Sequence, residues 1–246
     1  MSELFKLKEW LTLGEAASHI SSVLGEPATV ADVYRFALDG HLTLSVDFVN
    51  HARARKGKML KTEQIEFGLM KENFLTGEKL DIPYKFSINS EIRVSKDDWI
   101  ALDKAVVSIN GIWDLSMFGA EQLDIEHEYQ QLTSGLEVTL TALDGVFVQN
   151  GDVVCRLQTD FDDNEYQKGS KAQQKDLERY IVTNEVGEDE AKKLKAEFKA
   201  DREKYLDERK DKPKEANYFP SGGLAEHDYV LVIRTKRSEE RRVGKE

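Results

Sequence analysis

The sequence has little of the chemistry that marks secreted proteins and most enzymes. One cysteine, Cys155, stands in 246 residues, which excludes an internal disulfide and fits a reducing cytoplasm. It sits in the apolar run VVCRL, where a free thiol is expected to be buried and inert. The five histidines, at 19, 41, 51, 127 and 227, are scattered. There is no Gly-rich phosphate loop, no Gly-x-Ser-x-Gly elbow, no Cys-x-x-Cys pair and no His-Glu-x-x-His. The expectation is a non-enzymatic protein with no cofactor and no metal. No apolar run approaches the ~18 residues of a membrane span, and MSELFKLKEW lacks the apolar core of a signal peptide. Positive charge is also in deficit. The net charge of −11 argues against a protein whose whole surface grips nucleic acid, though not against a local basic patch. The remaining composition, 40% hydrophobic and 33% charged, fits one or two soluble domains with a sizeable core.

What is present is concentrated between Leu11 and Asn50. Thr12 is a good N-cap, and Glu15 stands three residues on, the spacing of a capping box. Leu13, Ala16, Ala17, Ile20, Val23 and Leu24 recur at helical spacing, and Gly25 with Pro27 ends the run. Thr29 caps a second helix, with Val30, Val33, Tyr34, Ala37 and Leu38 on its apolar face and Asp39-Gly40 at its end. Leu42, Leu44, Val46 and Phe48 then alternate with polar residues, the period of a half-buried strand. A basic run follows: His51, Arg53, Arg55, Lys56 and Lys58. Lys and Arg displace condensed counterions from phosphates, so at the tip of a β wing this run suits a nucleic-acid backbone. The alternative is a solvated hairpin turn at Lys56-Gly57.

The runs LTLGEAASHI and VADVYRFALDGHL resemble the excisionase/MerR-type DNA-binding domain. In that family a Leu-Thr-x-x-Glu-Ala-Ala helix leads to a recognition helix ending in Asp/Glu-Gly before a wing. The resemblance is confined to residues 11–42. It implies a helix-turn-helix on duplex DNA, with Thr29 and Arg35 at the major groove and the basic run on phosphates. The whole chain is also similar to a set of uncharacterised bacterial proteins that share its ALDGHLTLSV, FVNHARAR and YQQLT runs, a likeness that implies no mechanism.

Farther along, the sequence predicts a β-rich middle. Asn110-Gly111 suits a type I′ hairpin between 106–109 and 112–115. A three-strand meander is expected over 137–143, 146–148 and 153–157, with turns at Asp144-Gly145 and Asn150-Gly151. Asp124, Glu126, His127 and Glu128 invite a metal reading, but a hydrated polar helix face fits their spacing better. Asp160 to Glu165 begins like a calcium loop, then fails at position six (Glu165) and position twelve (Lys171). Residues 170–212 read as a helical hairpin whose second helix opens acidic and closes basic, complementing its dipole. Tyr229 to Thr235 is a buried strand. The tail RSEERRVGKE has no apolar period and resembles translated adapter sequence, so 237–246 is expected to be non-native.

The expected fold is therefore α+β: a winged helix-turn-helix-like module over 1–62, then a β-rich body over 63–236 carrying the helical hairpin and a final strand. The expected function is duplex-DNA binding in a regulatory or mobile-element protein. The alternative is a protein-interaction or assembly component that meets a partner at the 188–212 helix. An enzyme whose site forms only in space comes third.

Overall fold

The computed structural model describes residues 8–72, 79–139 and 144–235. Part of the 137–143 strand and the tail 237–246 lie outside the described residues. In chain order the elements are β1 (Trp10–Thr12), α1 (Leu13–Leu24), α2 (Val30–Leu38), β2 (Ser45–Lys61), β3 (Phe67–Glu72), β4 (Lys79–Ser87), β5 (Ile92–Arg93), β6 (Asp98–Leu115), α3 (Ala120–Thr133), β7 (Phe147–Asn150), β8 (Val153–Asp160), α4 (Lys171–Thr183), α5 (Glu188–Arg209), β9 (Tyr218–Pro220) and β10 (Val230–Arg234). The fold is mixed α+β, built on a large antiparallel sheet.

The long strands β2 and β6 run antiparallel along most of their length. The other edge of β2 takes β10 at its start, where Val232 faces Ser45, and β8 farther along, from Arg53–Gln158 to Gly57–Val154. Strand β7 joins β6 to β8. Strands β2, β6, β7 and β8 therefore close a hydrogen-bonded ring, with β7 joined to β6 only at Asp114 and Leu115. Strands β1 and β9 extend the sheet from β10 and β8. The segment around β2 thus shares its sheet with the strand nearest the C-terminus.

Register shifts between Phe48 and Ala52 and between Arg55 and Gly57 bend the long pair. Both fall where the sequence predicted turns. Asn110-Gly111 is not a hairpin: Gly111 takes φ +70° opposite Phe48, inside β6. Lys56-Gly57 is not a hairpin either. A Cβ on Gly57 would stand 2.8 Å from Ile100 Cγ2 and 2.9 Å from Leu102 Cδ2, so glycine serves close approach of two strands here. The hairpin expected at Asn150-Gly151 does form, joining β7 to β8, with Gly151 at φ +61°. Residues 137–139 are not strand.

Helices α1 and α2 form as their caps dictate. The backbone N–H of Glu15 donates to Thr12 Oγ1, and that of Thr12 to Glu15 Oε2 at 3.1 Å. Together with α3 they cover one face of the sheet, and Ala16, Val33, Tyr34, Val46, Phe48 and Ile125 are buried in the shared core. Helix α3 is pinned by Glu121, a fully buried carboxylate that accepts N–H groups from Phe118 (3.1 Å), Gly119 (3.0 Å) and, across to β7, Phe147 (2.8 Å).

Helices α4 and α5 form the expected hairpin. It docks through Arg202, whose guanidinium holds Asp162 at both oxygens and donates to the Gly169 carbonyl at 2.9 Å. Tyr205 is the buried residue of α5. The pair β3–β4 is a separate two-stranded ribbon, and Pro83 sits in β4, where no further strand needs its missing N–H.

Candidate functional site

The residues nominated from the sequence fall on two elements. Those on α2 are engaged within the fold. The Thr29 side chain caps the helix and bonds Asp32, which accepts the Thr29 N–H at 2.7 Å. Those bonds hold the Asp32 carboxyl below its ordinary value. Arg35 is exposed, but its Nε pairs with Asp39 Oδ2 at 2.9 Å, and its guanidinium lies 5.9 Å from the Tyr129 ring centroid. Tyr34 is core, its phenol pushed up to about 12 by burial first and by the Glu128 charge second. The exposed side of α2 thus offers one arginine, already matched by an aspartate, in contrast with the several free polar groups of a recognition helix.

The basic run lies within β2, not at the tip of a wing. Arg53, Arg55 and Lys58 are paired to β6 on one side, and Arg53 to Gly57 to β8 on the other, while His51 and Lys56 fall at the register shifts with β6. Successive side chains on a strand point to opposite faces. Ala52 and Ala54 are buried, so Arg53 and Arg55 project from the opposite face, while Lys56 and Lys58 take the alanine side where it opens to solvent. The run is therefore split in two. Within 4 Å, Arg53, Arg55, Lys56 and Lys58 have no ion-pair partner among the described residues. Arg202, Arg234 and Lys61 are, by contrast, all paired with carboxylates. His51 is exposed at the start of the run.

Register adds a residue that the sequence reading missed. Arg156 on β8 stands directly opposite Arg55 and directly opposite Phe147 on β7, in one row across the sheet. Its signal was present in VVCRL, a lone arginine among apolar residues, with Val154, Cys155 and Leu157 beside it buried. Cys155 beside it is buried, and burial lifts its thiol to about 11, which keeps it protonated and unreactive.

A second polar group joins the sheet to the loop before β10. Ser221 Oγ is fully buried, 2.9 Å from Thr159 Oγ1 and 2.7 Å from His227 Nε2, while Thr159 donates to Glu226. Each hydroxyl has one proton to give. Thr159 gives its proton to Glu226, so Ser221 donates to Thr159 and accepts from His227. The imidazole is then the Nε2–H tautomer, and burial holds its pKa below the ordinary histidine value. Thr159 and Glu226 also line a cleft of about 520 Å³ with Phe219, Lys175 and Arg179.

The acidic segments are structural. Asp124 is not on a hydrated face: it accepts the Leu224 N–H at 2.7 Å, and burial raises its pKa. Asp162, inside the run that begins like a calcium loop, is taken by Arg202. Among the described residues no group of three or more His, Cys, Asp or Glu is placed to hold a metal, and no helix is long and apolar enough to cross a membrane. Comparison with known protein families, curated proteins and solved structures found no match.

Proposed function

We propose that the protein binds duplex DNA in a regulatory or mobile-element role, as a binding protein rather than an enzyme, and that the contact is made by the Arg53–Arg55 face of β2. The observation that carries this reading is that, among the described residues, both arginines lack a carboxylate partner on a chain of net charge −11, whereas Arg202 and Arg234 are each paired with one. A sheet face with unmatched arginines gains counterion-release energy from phosphates, whatever the base sequence. Helix α2 acts here as framework, since Thr29 and Arg35 are held by Asp32 and Asp39.

The test is fluorescence anisotropy of the full chain with a labelled random duplex at low salt. Binding that weakens with added salt, and weakens on Arg53→Ala with Arg55→Ala but not on Lys192→Ala with Lys193→Ala, supports the reading. No binding at low salt, or equal loss in the two double variants, sinks it.

A protein-interaction or assembly role has its own observation. On the β3–β4 ribbon, Leu69 and Tyr84 are 61% and 64% exposed, and most of α5 is exposed as well. On that reading Leu69→Asp with Tyr84→Ser changes the sedimentation of the full chain, and DNA does nothing.

A further inference from the structure

Arg156 is the least explained charge in the described structure. It is half-buried, and its side chain makes no hydrogen bond or ion pair to any described residue. Its Nε is enclosed without a partner, as is that of Arg55 directly across the strand pair. Like charges in directly opposed positions repel, and a half-buried charge without a counter-charge costs folding free energy. The stem passes over Gly145: Arg156 Cδ lies 3.5 Å from where a Cβ on Gly145 would stand, beside Pro220. Arg55 is anchored, with Nη2 donating to the Glu215 carbonyl at 3.3 Å. The terminal nitrogens of Arg156 are not enclosed. The two arginines thus stand in opposed positions across the strand pair, close enough for their charges to act on each other, with Asp144 as the carboxylate acting on Arg156 through space.

We infer that Arg55 and Arg156 together form a binding site for a phosphate oxyanion, which supplies the missing counter-charge and accepts from both guanidinium forks. Paired arginine forks match the tetrahedral oxygens of phosphate better than a point charge does. Burial, followed by repulsion from Arg55, lowers the Arg156 pKa, and the Asp144 charge offsets this only in part. The oxyanion is either a phosphodiester of nucleic acid or a free phosphate. Only the first source rests on the function proposed above.

The experiment is thermal melting of the full chain against inorganic phosphate, with sodium chloride holding ionic strength constant, for wild type, Arg156→Met and Arg156→Lys. A ligand that binds the folded state alone raises Tm with its concentration. The wild type is expected to show a rise in Tm, Arg156→Met none, and Arg156→Lys a weaker one needing at least tenfold more phosphate. In phosphate-free buffer Arg156→Met melts no lower than wild type, because it keeps the stem and removes the opposed charge. That arm also shows that the variant folds. No phosphate response in wild type, or an undiminished one in Arg156→Met, overturns the site, and so does a large loss of stability in Arg156→Met without phosphate. With the phosphate response established, the DNA salt series names the source. A slope reduced by about 0.9 in Arg156→Met assigns the phosphodiester. An unchanged slope assigns a free phosphate and leaves the oxyanion site standing without the DNA reading.

Discussion

Truncation of Glu121 should be among the most damaging single changes in this fold. The side chain is fully buried and serves three backbone donors, Phe118, Gly119 and Phe147, at 2.8–3.1 Å. Burial raises its pKa, and the three N–H groups work against that rise. Glu121→Ala strips all three donors of their acceptor, with the Phe147 N–H buried and the other two partly so. Each unsatisfied buried group costs about 1–3 kcal/mol, and the desolvation of the lost carboxylate is recovered, so the net loss is about 3–5 kcal/mol. At roughly 2–4 °C per kcal/mol for a chain of this size, Tm falls by about 6–20 °C. Glu121→Gln keeps one oxygen for Phe118 and Gly119 but turns an amide NH₂ toward the Phe147 N–H, so it should lose about 1–3 kcal/mol. Denaturant and thermal melts of the three proteins read both numbers. If Glu121→Ala melts within about 2 °C of wild type, or Glu121→Gln is the worse of the two, the three-donor account is wrong.

Other consequences follow from the same packing. Asp114 is 1% exposed, pairs with Arg234 Nε at 3.0 Å and accepts from Ser45 Oγ at 2.7 Å. Asp114→Ala should cost about 3–5 kcal/mol in a urea melt, because Arg234 loses that counter-charge while remaining largely covered; a loss under 1 kcal/mol would mean that solvent already screens the pair. Arg202→Ala should release the α4–α5 hairpin, so that amide exchange in 171–209 quickens while β2 and β6 stay protected; uniform loss of protection would show that the hairpin belongs to the central cooperative unit. His227 titrates below the ordinary histidine value when folded, so the unfolded chain takes up the proton first. Stability from this group is full above about pH 6.5 and is lost as pH falls from there toward the folded pKa. Wild type should therefore lose Tm faster than His227→Gln from pH 7 downward, and parallel curves would remove the histidine from the account.

The elements whose signals are local were legible in the sequence. Thr12 with Glu15 and Thr29 with Asp32 form capping boxes where the sequence placed helix starts. The alternation after Leu42 became the start of β2, and the 170–212 hairpin formed with its second helix ending at Arg209. What misled was glycine chemistry with two physical uses. Gly57 and Gly111 look like turn residues, yet one permits close strand packing and the other a bend inside β6. Nothing within a few residues distinguishes these cases, because the deciding contacts, with Ile100 and Phe48, lie far away in sequence. The candidate site was half legible for the same reason. The basic run was visible, but its place inside a long strand rather than at a turn depends on pairing with β6 and β8, and Arg156 acquires meaning only from the register that sets it against Arg55. Glu121 was equally hidden, since its partners span Phe118 to Phe147.

The most direct test of the central claim is the slope of log Kobs against log salt for duplex DNA, measured on the full chain in three forms: wild type, Arg53→Ala with Arg55→Ala, and Lys56→Ala with Lys58→Ala. Each cation that neutralises a phosphate contributes about 0.9 to the slope. If the arginine face holds the DNA, the arginine pair lowers the slope by about 1.8 and the lysine pair leaves it unchanged. A slope that follows the lysines, or one indifferent to both pairs, would contradict the assignment of that face.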